Sequence, residues 1–197
     1  NNNYGWNRDG KHPSHVDNTY IRYYWSCGLE LAAMMLDYYF YTRDTDFVRK
    51  TLLPQAEEII RFYDLHYTRD DKGKLLLKPS QSLETWQKAV NPLPPIAGLR
   101  FVLSGLLSLP PGVAGEEERA SWRRLLAELS LLPAREENGK TFLLPADVCR
   151  GSITCRVDKI YAIFPYRLYG VGKPELEIAR LTFDKRRVKR TGGWTQD

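Results

Sequence analysis

Apolar side chains fall on nearly every face of a helical wheel drawn through residues 20 to 41. Ile21, Tyr24, Trp25, Leu29, Leu31, Ala32, Met35, Leu36 and Tyr39 follow one another there without a proline. The charged interruptions are Arg22, Glu30 and Asp37, whose spacings of eight and seven put them on one narrow stripe. A helix apolar all round is a buried helix, so the pattern predicts an inner one. Thr42-Arg43-Asp44 then turns the chain, and Asp44 or Thr45 is placed to cap a second helix over 46 to 67. This one is amphipathic: Phe47, Leu52, Ala56, Ile59, Ile60 and Tyr63 oppose Arg49, Lys50, Gln55, Glu57, Glu58 and Arg61. Pro54 should kink or restart it. An inner helix followed by an outer one makes a hairpin.

The alternation recurs. After a proline-rich approach, residues 96 to 109 are again apolar nearly all round, with Gly98 and Gly105 permitting close approach, and Pro110-Pro111-Gly112 ends the run. Residues 116 to 132 are amphipathic, with Trp122, Leu125, Leu126 and Leu129 on one face. A weaker third pair covers 159 to 169, broken by Pro165, and 173 to 187. Short β segments are expected at 75 to 78 and 141 to 144. A four-helix bundle would make all helices similarly amphipathic, and a solenoid would show self-similarity at a fixed period. The expectation is therefore an all-α fold: helical hairpins arranged as part of a closed toroid, with long loops gathered at one end of the inner helices.

A chain of 197 residues, 43% hydrophobic and 12% aromatic, can bury a core of its own, and one domain over 1–197 is expected. No run approaches the roughly 18 apolar residues of a membrane-crossing helix, so no membrane partner is expected. The Asn-Asn-Asn start lacks the zones of a secretory leader. With no initiator Met, the chain is expected to be a piece of something longer. The net charge of +5 is concentrated in Lys185-Arg186-Arg187-Val188-Lys189-Arg190. Acidic and basic residues alternate elsewhere, so this run reads as a solvated helix end favoured by the macrodipole, and no nucleic-acid partner is expected. Cys27 lies among apolar residues, whereas Cys149 and Cys155 are either a local disulfide or two separate thiols. His12 and His15 lie in a Pro-containing loop rather than on a helix, and His66 is far from both in sequence, so neither a metal nor a cofactor is expected.

Chemistry-bearing residues gather between the helices. Pro79 to Trp86 sets Glu84 beside Trp86 in a short polar loop. Glycoside hydrolysis needs a carboxylic acid to protonate the leaving oxygen and an aromatic face for the sugar ring. The competing reading is a surface loop with a solvated Glu84 and a gap-filling Trp86. Residues 1 to 17 hold Trp6, Arg8, Asp9 and Asp17, types that grip hydroxyl groups and stack sugar rings, or that pair with one another in an ordinary loop. Arg22 and Glu30, on an otherwise apolar helix, need partners. Arg22 is expected to reach the loop end near Asp9 or Asp17, and Glu30 to form a buried ion pair. Asn91, Trp194 and Asp197 complete the candidate sugar site.

Ser80 to Trp86 resembles the Ser-Pro-Glu-Asn segment of six-hairpin, (α/α)6-toroid glycosidases, in particular bacterial relatives of inverting α-1,2-L-fucosidases and an associated uncharacterised domain family. Tyr24-Trp25 is similar to the end of that family's first inner-helix motif, and Thr191 to Trp194 to its Gly-Trp-Ser segment. The resemblance implies about half of an (α/α)6 toroid and a carbohydrate substrate. It also implies inverting hydrolysis with Glu84 as general acid, a periplasmic or extracellular setting, and the remainder of a parent chain as partner. Leu83 and Thr85 depart from the motif. Asp17 and Thr19 stand where the family has two water-orienting asparagines, which leaves Asp17 as base or water-orienting residue. The segment 164 to 170 replaces a His-rich one. The family's own base would fall beyond Asp197, so the piece alone is expected to be inactive. Two other classes share the pattern: a non-catalytic module binding glycans or proteins, and a toroid lyase or phosphorylase.

Overall fold

The computed structural model describes residues 21–83, 86–150 and 158–185; of Trp86, Gln87, Arg150 and Asp158 it describes the backbone. Helix α1 (Ser26–Thr42) ends where Arg43 turns left-handed at φ 61° and donates its N–H to the Tyr39 carbonyl. Asp44 caps α2 (Thr45–Phe47), its Oδ1 accepting the Phe47 N–H at 2.9 Å. A π turn at Val48–Leu52 leads into α3 (Leu53–His66). Pro54 has no N–H to continue the ordinary ladder, and just ahead of it the ladder widens so that Leu53 N–H reaches the Val48 carbonyl. Helix α4 (Leu93–Leu107) carries Pro94 and Pro95 in its first turn, where N–H groups have no intrahelical acceptor. Three acidic residues open α5 (Glu116–Glu128), complementing its macrodipole. A 3-10 turn (Asp158–Ala162) and α6 (Leu176–Asp184) follow.

Side-chain pairings fix the helix directions. A methyl added at Gly98 would meet Leu29, and one at Gly105 would meet Leu36, so α1 and α4 run parallel in close approach. The chain returns along α1 through α2 and α3: Tyr38 meets Phe47 at a tilt, 4.5 Å between ring centroids, and Trp25 meets Phe62 edge to face at 5.3 Å. Helix α5 returns along α4, with Arg119 donating to the Leu107 and Leu109 carbonyls and Arg100 to that of Ser130. The outer helices α3 and α5 are tied by Trp122 Nε1 on Glu57 at 3.0 Å and by a network of Asp64, Arg69, Arg124 and Glu128. Burial alone would raise both carboxyls of that network, but hydrogen bonds from the two arginines hold Asp64 and Glu128 below the usual range.

The two inner helices differ. Helix α4 is buried at Leu93–Leu99, Val102, Leu103, Gly105 and Leu106, with Arg100 and Phe101 half-buried and Ser104 exposed. Helix α1 is less covered: Leu31 is 44% exposed, Met34 62%, Tyr38 46% and Tyr41 91%. Those four recur at spacings of three and four along α1, the Tyr38 ring resting in part on Phe47 of α2. The expectation that α1 is buried all round is thereby corrected.

The all-α half-toroid expectation is also overturned. The described residues include seven strands in three antiparallel sheets. Strands β1 (Thr68–Arg69) and β2 (Leu75–Leu76) form a small hairpin. Strands β3 (Ser80–Ser82), β4 (Trp86–Pro92) and β7 (Ala146–Arg150) form a sheet in the order β3-β4-β7. Strands β5 (Ala134–Glu137) and β6 (Lys140–Leu143) pair around Asn138-Gly139, whose φ values of 53° and 70° suit a tight hairpin turn. The fold is a mixed one, two helical hairpins with sheets built from the connections. Because α1 and α4 are parallel, those connections gather at one end, where α1 and α4 begin and α3 and α5 end.

Candidate functional site

Strand β3 is polar in sequence and buried in the fold: Ser80 and Gln81 are each 1% exposed and Ser82 0%. Burying such groups is costly unless they are hydrogen-bonded. Gln81 Oε1 accepts the main-chain N–H of Tyr23 at 3.2 Å, across 58 residues of sequence. That bond joins the turn before α1, next to Arg22, to the strand that opens the Ser80–Trp86 segment. Leu83 leaves β3 at φ 51°, and the register sets Ser82 opposite Trp86, so residues 83–85 are the connection that contains Glu84 in the sequence. Beside this hairpin lies a cavity of about 500 Å³ whose wall includes Tyr23, Lys78, Pro79, Lys88 and Val148.

Asn91 holds β4 in place. It is 8% exposed with φ 49°; its Oδ1 accepts the Leu77 N–H at 2.9 Å, its Nδ2 donates to Asp147 Oδ2 at 2.9 Å, and its own N–H donates to the Leu77 carbonyl at 3.0 Å. Both ends of the amide face protein partners, so Asn91, expected among the sugar-lining residues, braces the sheet. Arg22 is exposed in the turn before α1, adjacent in sequence to Tyr23. Strand β4 begins with the Trp86 backbone. Glu84, Asp17, Trp6, Arg8, Asp9, Trp194 and Asp197 lie outside the described residues, as does Cys155 and with it the question of a Cys149–Cys155 bridge.

A second constellation surrounds Glu30. The ion pair expected there is corrected: among the described residues no cation pairs with Glu30, and the Tyr161 hydroxyl hydrogen-bonds its carboxyl instead. The ion pair on that stripe belongs to Asp37, which takes the Arg167 guanidinium with Nη1 at 3.0 Å from Oδ2. Burial pushes the Glu30 carboxyl above its usual range, and the Tyr161 hydrogen bond offsets part of that. Burial, followed by the nearby Glu30 charge, pushes the Tyr24 and Tyr166 phenols well up, so both stay neutral at any physiological pH. Glu30 Oε1 is buried without a hydrogen-bond partner among the described residues. Glu30 borders a cavity of about 390 Å³. A charge interrupting an apolar helix was the sequence signal for this place, but Tyr161, which answers it, comes from far along the chain.

Among the described residues no helix is long and apolar enough to cross a membrane. Compared with models of protein families and with curated proteins, the chain matches none.

Proposed function

We propose that this chain carries the acid-bearing part of a glycoside hydrolase site and that Glu84 is the general acid of an inverting hydrolysis. The observation that supports this reading most directly is the Tyr23–Gln81 hydrogen bond, which brings the approach to α1 against the strand that leads to Glu84. In an inverting reaction the acid protonates the leaving oxygen. A second carboxylate, about 6.5 to 9.5 Å away, takes a proton from water attacking the opposite face of the ring. Asp17 is the nominee for that second group within the chain. Trp6 and Trp86 supply faces for sugar rings, Arg8, Asp9 and Arg22 supply polar groups for hydroxyls, and Lys78 and Lys88 in the cavity wall add donors. The test is reducing-sugar release by the full-length protein from a panel of plant and host glycans, compared with its Glu84→Gln variant. A loss of several orders of magnitude in a folded variant is expected; equal activity, or none from either protein, would overturn the assignment.

The outward stripe of α1 favours a second reading, a non-catalytic module that docks a protein through Leu31, Met34, Tyr38 and Tyr41. Contiguous apolar surface on one helix face marks an interaction site more often than isolated exposed residues do.

A further inference from the structure

We propose that the cavity bordered by Glu30 binds a small organic ammonium ion with an apolar body, held by the Glu30 carboxylate. Three observations carry this. The first is the shortage of donors at the Glu30 carboxyl, which borders the cavity: its Oε1 has no hydrogen-bond donor among the described residues, and the carboxyl's partner is the Tyr161 hydroxyl. A carboxylate short of donors gains most from a charged one, and a ligand ammonium in the cavity supplies a charge-assisted hydrogen bond. The second is charge. The charged groups of the cavity wall are Glu30, Asp37 and Arg167, and the last two neutralise one another, leaving one uncompensated carboxyl. A neutral hydroxyl would satisfy the hydrogen bond but not the charge, and an anion would add to it. The third is the remaining wall, where Met34, Ile160, Phe164 and Pro165 present apolar surface. Met34 and Phe164 are 62% and 71% exposed without a ligand. The Phe164 and Tyr161 rings also give faces on which a cation can rest. A volume of about 390 Å³ lies in the range of small-molecule sites. A bare divalent metal fits less well, because it wants several oxygen ligands and Asp37 is already committed to Arg167. This site shares no lining residue with the cavity beside β3 and β4, so it stands or falls independently of the hydrolase reading.

The chain supplies its own reporters. It has two methionines, Met34 on the cavity wall and Met35, 8% exposed and turned into the core. With methyl-13C methionine, titration with benzylammonium should move the Met34 resonance saturably and leave Met35 in place. Benzyl alcohol should bind at least about tenfold more weakly and benzoate not at all, and Glu30→Gln should bring the amine down to the level of the alcohol. An unmoved Met34, equal affinity for amine and alcohol, or discrimination that survives in Glu30→Gln would overturn the proposal. The wild-type charge series decides it even where the variant does not fold, and an unshifted Met35 resonance reports that the variant has folded. Nα-acetyl-lysine methylamide is the remaining arm. Binding weaker than benzylammonium supports a free amine, whereas tighter binding would place a partner's lysine in the cavity and overturn the small-molecule assignment.

Discussion

Substituting alanine at Gly28, Gly98 and Gly105 in turn tests the helix packing, because the three sites carry the same chemical change into different surroundings. Glycine in a helix interior is about 1 kcal/mol worse than alanine, so each substitution begins with a gain of that order. Against it stands what the new methyl would meet. At Gly28 the nearest atoms are Ile59 Cγ1 at 3.2 Å and Cγ2 at 3.3 Å, on a side chain only partly buried that can give by a few tenths of an ångström. At Gly105 the methyl would come to 2.7 Å from Leu36 Cδ1, the flexible end of a side chain that is 0% exposed and has no open space to turn into. At Gly98 it would lie 2.8 Å from the Tyr166 hydroxyl oxygen, 2.9 Å from its ring carbon and 3.0 Å from Leu29 Cβ. A rigid ring and a Cβ cannot rotate away, so the backbones must separate. Overpacking of this kind costs about 1 to 3 kcal/mol. Subtracting the propensity gain leaves Gly28→Ala neutral to stabilising by about 0.5 kcal/mol. Gly105→Ala is then destabilising by up to about 1 kcal/mol and Gly98→Ala by about 2 kcal/mol. Urea unfolding with a common m-value reads the order directly. Gly98→Ala as stable as wild type, or Gly28→Ala the most damaging of the three, would refute the parallel packing of α1 on α4.

Two further outcomes follow from buried polar groups. Because the folded Glu30 carboxyl is raised above its unfolded value near 4.3, the native state keeps a proton that the unfolded chain has lost. Stability is therefore full below that pH and falls as pH rises through the window up to the folded value. Glu30→Gln removes that slope, so its stability relative to wild type should rise between pH 4.5 and 7.5. Thermal unfolding at the two pH values checks this, and a variant that loses ground as pH rises would contradict it. Asn91→Ala should cost about 2 to 4 kcal/mol, since it strands the Leu77 N–H and places alanine at φ 49°. Hydrogen exchange at Leu77 should accelerate with it, and unchanged protection there would show that the amide is not what holds β4.

The helices were legible because their information is local. Residues 46 to 67 announce an amphipathic helix at a period of 3.6, and the structure differs only by the π turn ahead of Pro54. The sheets were not legible, because β4 pairs with β7 across a span that includes two whole helices, so neither strand's partner is written near it. The fragments expected near 75 and 141 are parts of β2 and β6. Asn138-Gly139 was an available sign of a hairpin, but the flanking strand Ala134–Glu137 is exposed throughout and carries no alternation of apolar and polar residues. Asn91 shows the same limit at a single residue. An Asn before a Pro signals a turn, and only the fold reveals that its amide is consumed by Leu77 and Asp147.

Helices α1 and α4 read alike in sequence, yet α4 leaves no large apolar side chain exposed and α1 leaves four, and the difference explains where both candidate sites lie. Burial of an apolar helix is a property of its neighbours: α4 has α1, α5 and the 3-10 turn around it, whereas α1 has α3 and α4 on two sides and a row of uncovered apolar residues on another. The 3-10 turn and the residues after it reach only one edge of that open side, where Tyr161 meets Glu30 and Arg167 meets Asp37, and the gap left between them is the Glu30 cavity. The cavity beside β3 arises differently. Parallel inner helices force both long returns to one end, and there the approach to α1 is pinned to Gln81. One site thus follows from incomplete coverage of a helix flank and the other from topology, which is why a substitution such as Gly98→Ala, which would part α1 from α4, should disturb both at once.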